Sequence, residues 1–269
     1  MKKLDYHFHS HFSADSEELP RKHVIEAIAY GLDEICFTEH RDFYFPGMDF
    51  SLNLPEYFQE INRLQAEFKD KIKIKIGLEM GIDLRFKSEI NQFIDSAPFD
   101  FVIASVHEIG DIEVYDGTEF YLQKTKEEAQ REYLLACLDV VQNFETYNSF
   151  GHLDYVARYG PYTDKSIKFA ENREILFEIL RALASKEKAL EINTRLFDDP
   201  KTEQFYSDLL INFKKLGGKF ITLGTDSHIA KRDWLSIRKA RTLIKKAGFH
   251  ELATFNRMKI DKNKKSIKE

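Results

Sequence analysis

Seven short β-favouring runs alternate with seven segments of helical spacing, and this regular alternation limits the fold more than any single motif does. The runs are Leu4–His9, Glu34–Glu39, Lys73–Glu79, Phe101–Val106, Ser149–His152, Ala189–Asn193 and Phe220–Gly224. The first helix is read from Val24, Ile25, Ile28 and Ala29, with Pro20 suited to its first turn and Gly31 to its exit. The others are predicted at Pro55–Phe68, Ser88–Ile94, Lys126–Phe144, Asn172–Ser185, Glu203–Leu216 and Trp234–Ala247. Such alternation calls for a parallel sheet with helical crossovers, and 269 residues suffice to close it into a TIM-like barrel one unit short of eight. An open doubly wound sheet is the alternative. A single domain over residues 1–269 is expected, with the lysine-rich stretch 259–269 read as a frayed end.

The nine histidines fall on this pattern unevenly. His7 and His9 lie on the first run, His40 just past the second, His107 just past the fourth, His152 on the fifth and His228 beyond the seventh. The last three positions of seven strands are roughly 8% of the chain, so chance would put about one histidine of nine there. Glu79 ends the third run, Asp226 precedes His228 by two, and Asp15 follows the first run. In a parallel barrel all strand ends face one mouth, and a separation of two residues turns both side chains of His7-Phe8-His9 to one side. Carboxylates crowded among imidazoles repel one another unless cations sit between them. Imidazole and carboxylate donors without thiolate suit zinc, manganese or iron, and nine candidate ligands exceed what one ion accepts. His11, His23 and His250 are left out of the set, His11 for its spacing and the other two because they fall in predicted helices.

Composition removes several classes. A net charge of -5 argues against a general grip on nucleic acid and favours a small substrate. The apolar runs are too short to span a membrane, and the Met-Lys-Lys start leads into Asp5 and histidines rather than a signal core. Cys36 and Cys137 read as small buried hydrophobes, which with the absent signal core leads us to expect a cytoplasmic protein. No nucleotide-binding glycine motif is found. The segment Gly110–Lys124, with Tyr115, Asp116 and Gly117, reads as a loop over the site.

His7-Phe8-His9, Thr38-Glu39-His40, Gly77-Leu78-Glu79, His107, Gly151-His152 and Asp226-Ser227-His228, in that order, resemble the polymerase and histidinol phosphatase superfamily. Phe12-Ser13-Ala14-Asp15, the stretch from Gly151 to Gly160 and Glu191-Ile192-Asn193-Thr194 are similar to its monofunctional histidinol-phosphate phosphatase branch. The resemblance implies a distorted (β/α)7 barrel and about three divalent ions of zinc, manganese or iron. It implies His7, His9, Glu79 and Asp226 around one ion, Glu79 with His107 and His152 around a second, and Asp15, His40 and His228 around a third. Some members carry histidine where Asp15 stands, which makes this third set one imidazole poorer.

The implied reaction is hydrolysis of L-histidinol phosphate to L-histidinol and phosphate, as a step of histidine biosynthesis, by a metal-held hydroxide. Arg158 and Arg195, near strand ends, suit phosphate oxygens because a guanidinium offers paired donors. Asp226 and Arg195 are the candidates for direct catalytic roles, Asp226 as a ligand that can also carry a proton. Histidinol bears an ammonium and an imidazole, so Asp42, Tyr115 and the aromatic Phe43, Tyr44 and Phe45 are expected on its side of the site. Alternatives are a nucleotide or sugar phosphoesterase of the same superfamily, an amidohydrolase, which also opens with HxH, and a noncatalytic metal-binding protein.

Overall fold

A computed structural model describes residues 1–45, 47–115 and 119–261. In chain order the strands begin with β1 (Leu4–Asp5), β2 (Glu34–Arg41), β3 (Lys73–Gly81) and β4 (Phe101–Ser105). A small antiparallel ribbon follows, β5 (Glu108–Ile109) with β6 (Ile112–Glu113). Then come β7 (Ser149–Phe150), β8 (Ala189–Asn193), β9 (Ile221–Gly224) and a second ribbon, β10 (Phe255–Asn256) with β11 (Lys259–Ile260). The sheet order is β1-β2-β3-β4-β7-β8-β9, every neighbouring pair parallel.

The chain just past β1 brings this sheet round on itself. Tyr6 N donates to Leu223 O at 2.9 Å, Asp226 N to His7 O at 2.7 Å, and His9 N to Ser227 O at 2.9 Å. The first run, expected to reach His9, forms a regular ladder only through Asp5, because Phe8 N bonds the Thr38 hydroxyl at 3.1 Å instead of a strand carbonyl. The result is the distorted seven-stranded barrel that the alternation predicts.

The helices α1 (Pro20–Ala29), α2 (Leu54–Glu67), α3 (Lys87–Asp95), α4 (Lys126–Asn143), α5 (Tyr155–Tyr159), α6 (Arg173–Ser185), α7 (Pro200–Lys215) and α8 (Trp234–Lys246) occupy the connections. They bury apolar faces such as Ile61 and Leu64 of α2, Ile179 and Leu180 of α6, and Leu209 and Phe213 of α7. Pro20 opens α1, and Gly31 closes it at φ 72, where Leu32 N bonds back to Ala27 O at 2.9 Å. Cys36 and Cys137 are buried free thiols, and no helix among the described residues is long and apolar enough to cross a membrane.

Two readings need correction, and one helix was not foreseen. Gly110–Lys124, expected to lack elements, includes β6, and Val114 N bonds back to His107 O at 2.9 Å; Asp116 and Gly117 lie outside the described residues. α5 interrupts the loop after β7, too short to announce itself by periodicity. The stretch read as frayed from residue 259 begins as a paired strand, with Asp261 N donating to Thr254 O at 2.7 Å, and 262–269 lie outside the described residues.

Candidate metal centre

Glu79 is the middle of the site. It lies wholly buried on β3, and its two oxygens face different histidines. Oε1 accepts from Ser105 Oγ at 2.7 Å and faces His152 Nε2 at 2.9 Å and His107 Nε2 at 3.3 Å. Oε2 faces His7 Nε2 at 3.0 Å, His40 Nδ1 at 3.1 Å and His9 Nε2 at 3.3 Å. Asp226 Oδ1 completes the second side, 3.7 Å from His7 Nε2 and 3.4 Å from His9 Nε2. A third cluster sits nearer the mouth, where Asp15 Oδ2 is 2.9 Å from His228 Nε2 and 3.5 Å from His40 Nε2. All nine predicted ligand positions therefore meet in one place.

Ring orientation is fixed from behind, and the logic is one of donors and acceptors. A carboxylate can only accept, so Glu191 Oε1 at 2.6 Å places the proton of His7 on Nδ1, and Asp42 Oδ1 at 2.7 Å does the same for His107. The Ser13 hydroxyl donates to Glu39 Oε2 at 2.6 Å and accepts from His40 N at 2.9 Å, so at 3.2 Å it accepts from His9 Nδ1 as well. His228 Nδ1 is held between Asp226 O at 3.2 Å and Arg195 Nη1 at 3.1 Å. In each case Nε2 is left to face the centre. His7 Nε2, His9 Nε2, His107 Nε2, His40 Nδ1 and Glu79 Oε2 are buried with no hydrogen-bond partner, an arrangement that is costly unless a cation accepts their lone pairs.

Electrostatics point the same way. Burial pulls the His7, His9 and His107 imidazoles down, but facing carboxylates outweigh it. Glu191, Glu79 and Asp226 hold His7 well above the ordinary imidazole range, Asp226 and Glu79 raise His9 to about 9, and Asp42 with Glu79 raises His107. Burial would raise Glu79, yet His7, His40 and His107 keep it well below the usual carboxylate range. Burial likewise opposes ionisation of Asp226, and Arg158 with His7 overcomes it. Protons on the rings thus answer a demand for positive charge that divalent cations can meet instead. The donor set fits such ions.

Asp226 adopts a left-handed backbone, φ 52, rare for a residue with a side chain. That turn sends its carbonyl to Arg195 Nη1 and His228 Nδ1, while its Oδ2 takes Arg158 Nη1 at 2.6 Å and Asn193 Nδ2 at 3.2 Å. Arg158 comes from α5, whose Tyr155 ring lies 4.8 Å from that of His152 and 5.2 Å from that of His107. Arg158 Nε and Nη2 are buried without a hydrogen-bond partner.

A cleft of about 340 Å³ opens over the centre. Asp15, Arg158, Arg195 and Asp226 line it together with Phe45, Phe50, Glu113, Tyr115 and Tyr159. Tyr115 is exposed at the rim, its ring 4.4 Å from that of Tyr159.

Asp42 was expected on the substrate side and is instead behind the centre. β2 runs on through Arg41, which turns the Asp42 carboxylate beneath His107, where it is buried and does not line the cleft. Gly81 makes this possible, since a Cβ there would fall 1.8 Å from Asp42 Oδ1. Glu39, Glu191, Ser13, Ser105 and Asn193 were missed as site residues. The available signal was a buried charge or amide inside an apolar strand, as in Ala189-Leu190-Glu191-Ile192-Asn193.

The PHP domain family matches residues 5–195. Over 269 residues the chain is 97% identical to the histidinol-phosphatase of Lactococcus lactis subsp. lactis, with each sequence covered in full. A crystal structure of histidinol phosphate phosphatase from the same organism, complexed with zinc, L-histidinol and phosphate, superposes with a TM-score of 0.96 at 96% identity, covering 97% of this chain and 99% of that one. A solved Listeria monocytogenes chain gives a TM-score of 0.70 at 18% identity over 85% of this chain and 96% of its own, a likeness of fold. By the matched stretch and the near identity of its relative, the chain belongs to the PHP domain family.

Proposed function

We propose that this chain hydrolyses L-histidinol phosphate to L-histidinol and phosphate with divalent ions held by His7, His9, Asp15, His40, Glu79, His107, His152, Asp226 and His228. The observation that carries the reading is the set of unpartnered ring nitrogens and carboxylate oxygen turned inward around Glu79. Its near identity to a histidinol-phosphatase supports the substrate. Six carboxylates, Asp15, Glu39, Asp42, Glu79, Glu191 and Asp226, stand against the guanidiniums of Arg158 and Arg195. Two divalent ions offset that excess, and a third leaves the cleft cationic enough to receive a phosphate dianion.

When bound, the ions supply Lewis acidity toward phosphoryl oxygens and acidify a water for attack on phosphorus. Arg158, with two buried donors to spare, and Arg195 hold the remaining phosphoryl oxygens and orient the ester. Asp226, kept ionised by Arg158, accepts a hydrogen bond or a proton and does not store one for the leaving alkoxide. The aromatic side chains of the cleft suit the imidazole of the alcohol, and Glu113 on the same lining takes the place of Asp42 as the acidic candidate for its ammonium.

The test is phosphate release by purified zinc-loaded protein across a panel of L-histidinol phosphate, sugar phosphates and nucleotides. L-Histidinol phosphate should be preferred, with activity lost on chelation and restored by one defined metal. No turnover of it at full metal occupancy would overturn the reading.

A further inference from the structure

Glu191 belongs to β8, the one barrel strand with no candidate ligand on it or just past its end. Its side chain is nonetheless buried within the centre. Oε1 lies 2.6 Å from His7 Nδ1, and Oε2 accepts from His152 N at 2.8 Å and from Asn193 Nδ2 at 3.3 Å. His7 faces Glu79 Oε2 and His152 faces Glu79 Oε1, so the two residues bonded by Glu191 face different oxygens of Glu79, their rings 5.7 Å apart.

We infer that Glu191 is a positioning residue that couples the two ions sharing Glu79, holding the His7 ring for one and the His152 backbone for the other. The inference rests on the metal-dependent reading above. Two comparisons within the molecule support it. Asp42 hydrogen-bonds a single ligand, His107, and Glu39 reaches His9 and His40 only through Ser13; of these three supporting carboxylates Glu191 alone bonds two ligand residues directly. The backbone also makes room for this contact, because a Cβ on Gly224 would fall 2.3 Å from His7 Cβ and 2.8 Å from Glu191 Oε1.

The acceptor count explains why charge and shape are both needed. His7 Nδ1–H, His152 N–H and Asn193 Nδ2–H all donate toward Glu191, and a carboxylate accepts all three. A glutamine of the same volume cannot. With its oxygen toward His7 its amide meets two donors, and with the amide reversed it meets His7 Nδ1–H. Glu191→Gln therefore breaks one side of the coupling in either orientation without creating a cavity.

The experiment measures zinc affinity by competition with a chromophoric chelator, together with zinc stoichiometry and steady-state kinetics, for wild type, Glu191→Gln, Glu191→Asp and Asp42→Asn. Glu191→Gln should weaken both tightly held ions together by about 10–100-fold and lower kcat by a similar factor at saturating zinc, with KM nearly unchanged. Asp42→Asn should weaken one ion only. Glu191→Asp keeps the charge but shortens the reach, and serves if the glutamine variant does not fold; it should also weaken both ions. A folded Glu191 variant with wild-type zinc affinity, or one that weakens a single ion, overturns the coupling. Wild-type protein that binds no zinc and releases no phosphate overturns the functional reading itself.

Discussion

His23 sits wholly buried on α1 with its ring 4.9 Å from Phe8, between the first two candidate ligands in sequence. Burial, helped by the nearby Arg232 cation, pushes its imidazole down to about 2. The unfolded chain takes up a proton near the ordinary histidine value of about 6.5, well before the folded one does. Its contribution is therefore complete above about pH 6.5 and is lost below it, at about 1.4 kcal/mol per pH unit. In chelated protein, urea unfolding between pH 6.5 and 5 should show a shallower acid dependence for His23→Leu than for wild type; equal slopes would refute this. The absolute stability of the variant does not matter to the comparison. Which histidines gather at the mouth and which are packed was legible because the former end strands and His23 falls within a helical repeat. The residues behind the ligands were not: Asp42 shares the face of His40, as a separation of two predicts, with Oδ2 3.8 Å from His40 Nδ1, but nothing in the sequence signals that its other oxygen bonds His107.

β8 and α5 show how far pattern reading carries. The length and place of β8 were read correctly, but its share in the site was hidden because Glu191 and Asn193 act on other residues. α5 is five residues long, below what hydrophobic periodicity can register, yet it brings Tyr155 against two ligand rings and Arg158 to Asp226. Tyr121 ties it down through a 2.9 Å bond from its hydroxyl to Val156 O. Arg158→Lys keeps the charge and loses the planar fork, so kcat/KM for L-histidinol phosphate should fall by about 10–100-fold while the fold survives. Steady-state kinetics with circular dichroism checks both halves. A lysine variant as active as wild type would reduce Arg158 to a partner of Asp226.

Across the barrel mouth the candidate ligands differ in their access to water. The side chains of His7, His9 and Glu79 are 0% exposed and that of His152 1%, whereas Asp15 is 31% and His228 21% exposed. A chelator reaches the outer cluster first. Brief dialysis against a weak chelator should remove one ion before the others, and Asp15→Asn should lower the starting stoichiometry by one; simultaneous loss of all ions would contradict this. Fold class and the gathering of the nine candidate ligands were both legible because both follow from one periodicity, strands ending at a common mouth. The bond from His9 to Ser227 has a further meaning, in time rather than space. Synthesis makes His7 and His9 long before Asp226 and His228, so a nascent chain cannot gather the full set until then. Completion of the candidate centre is thereby deferred until β9 has docked beside the chain just past β1, although His7, His9 and Glu79 can meet earlier.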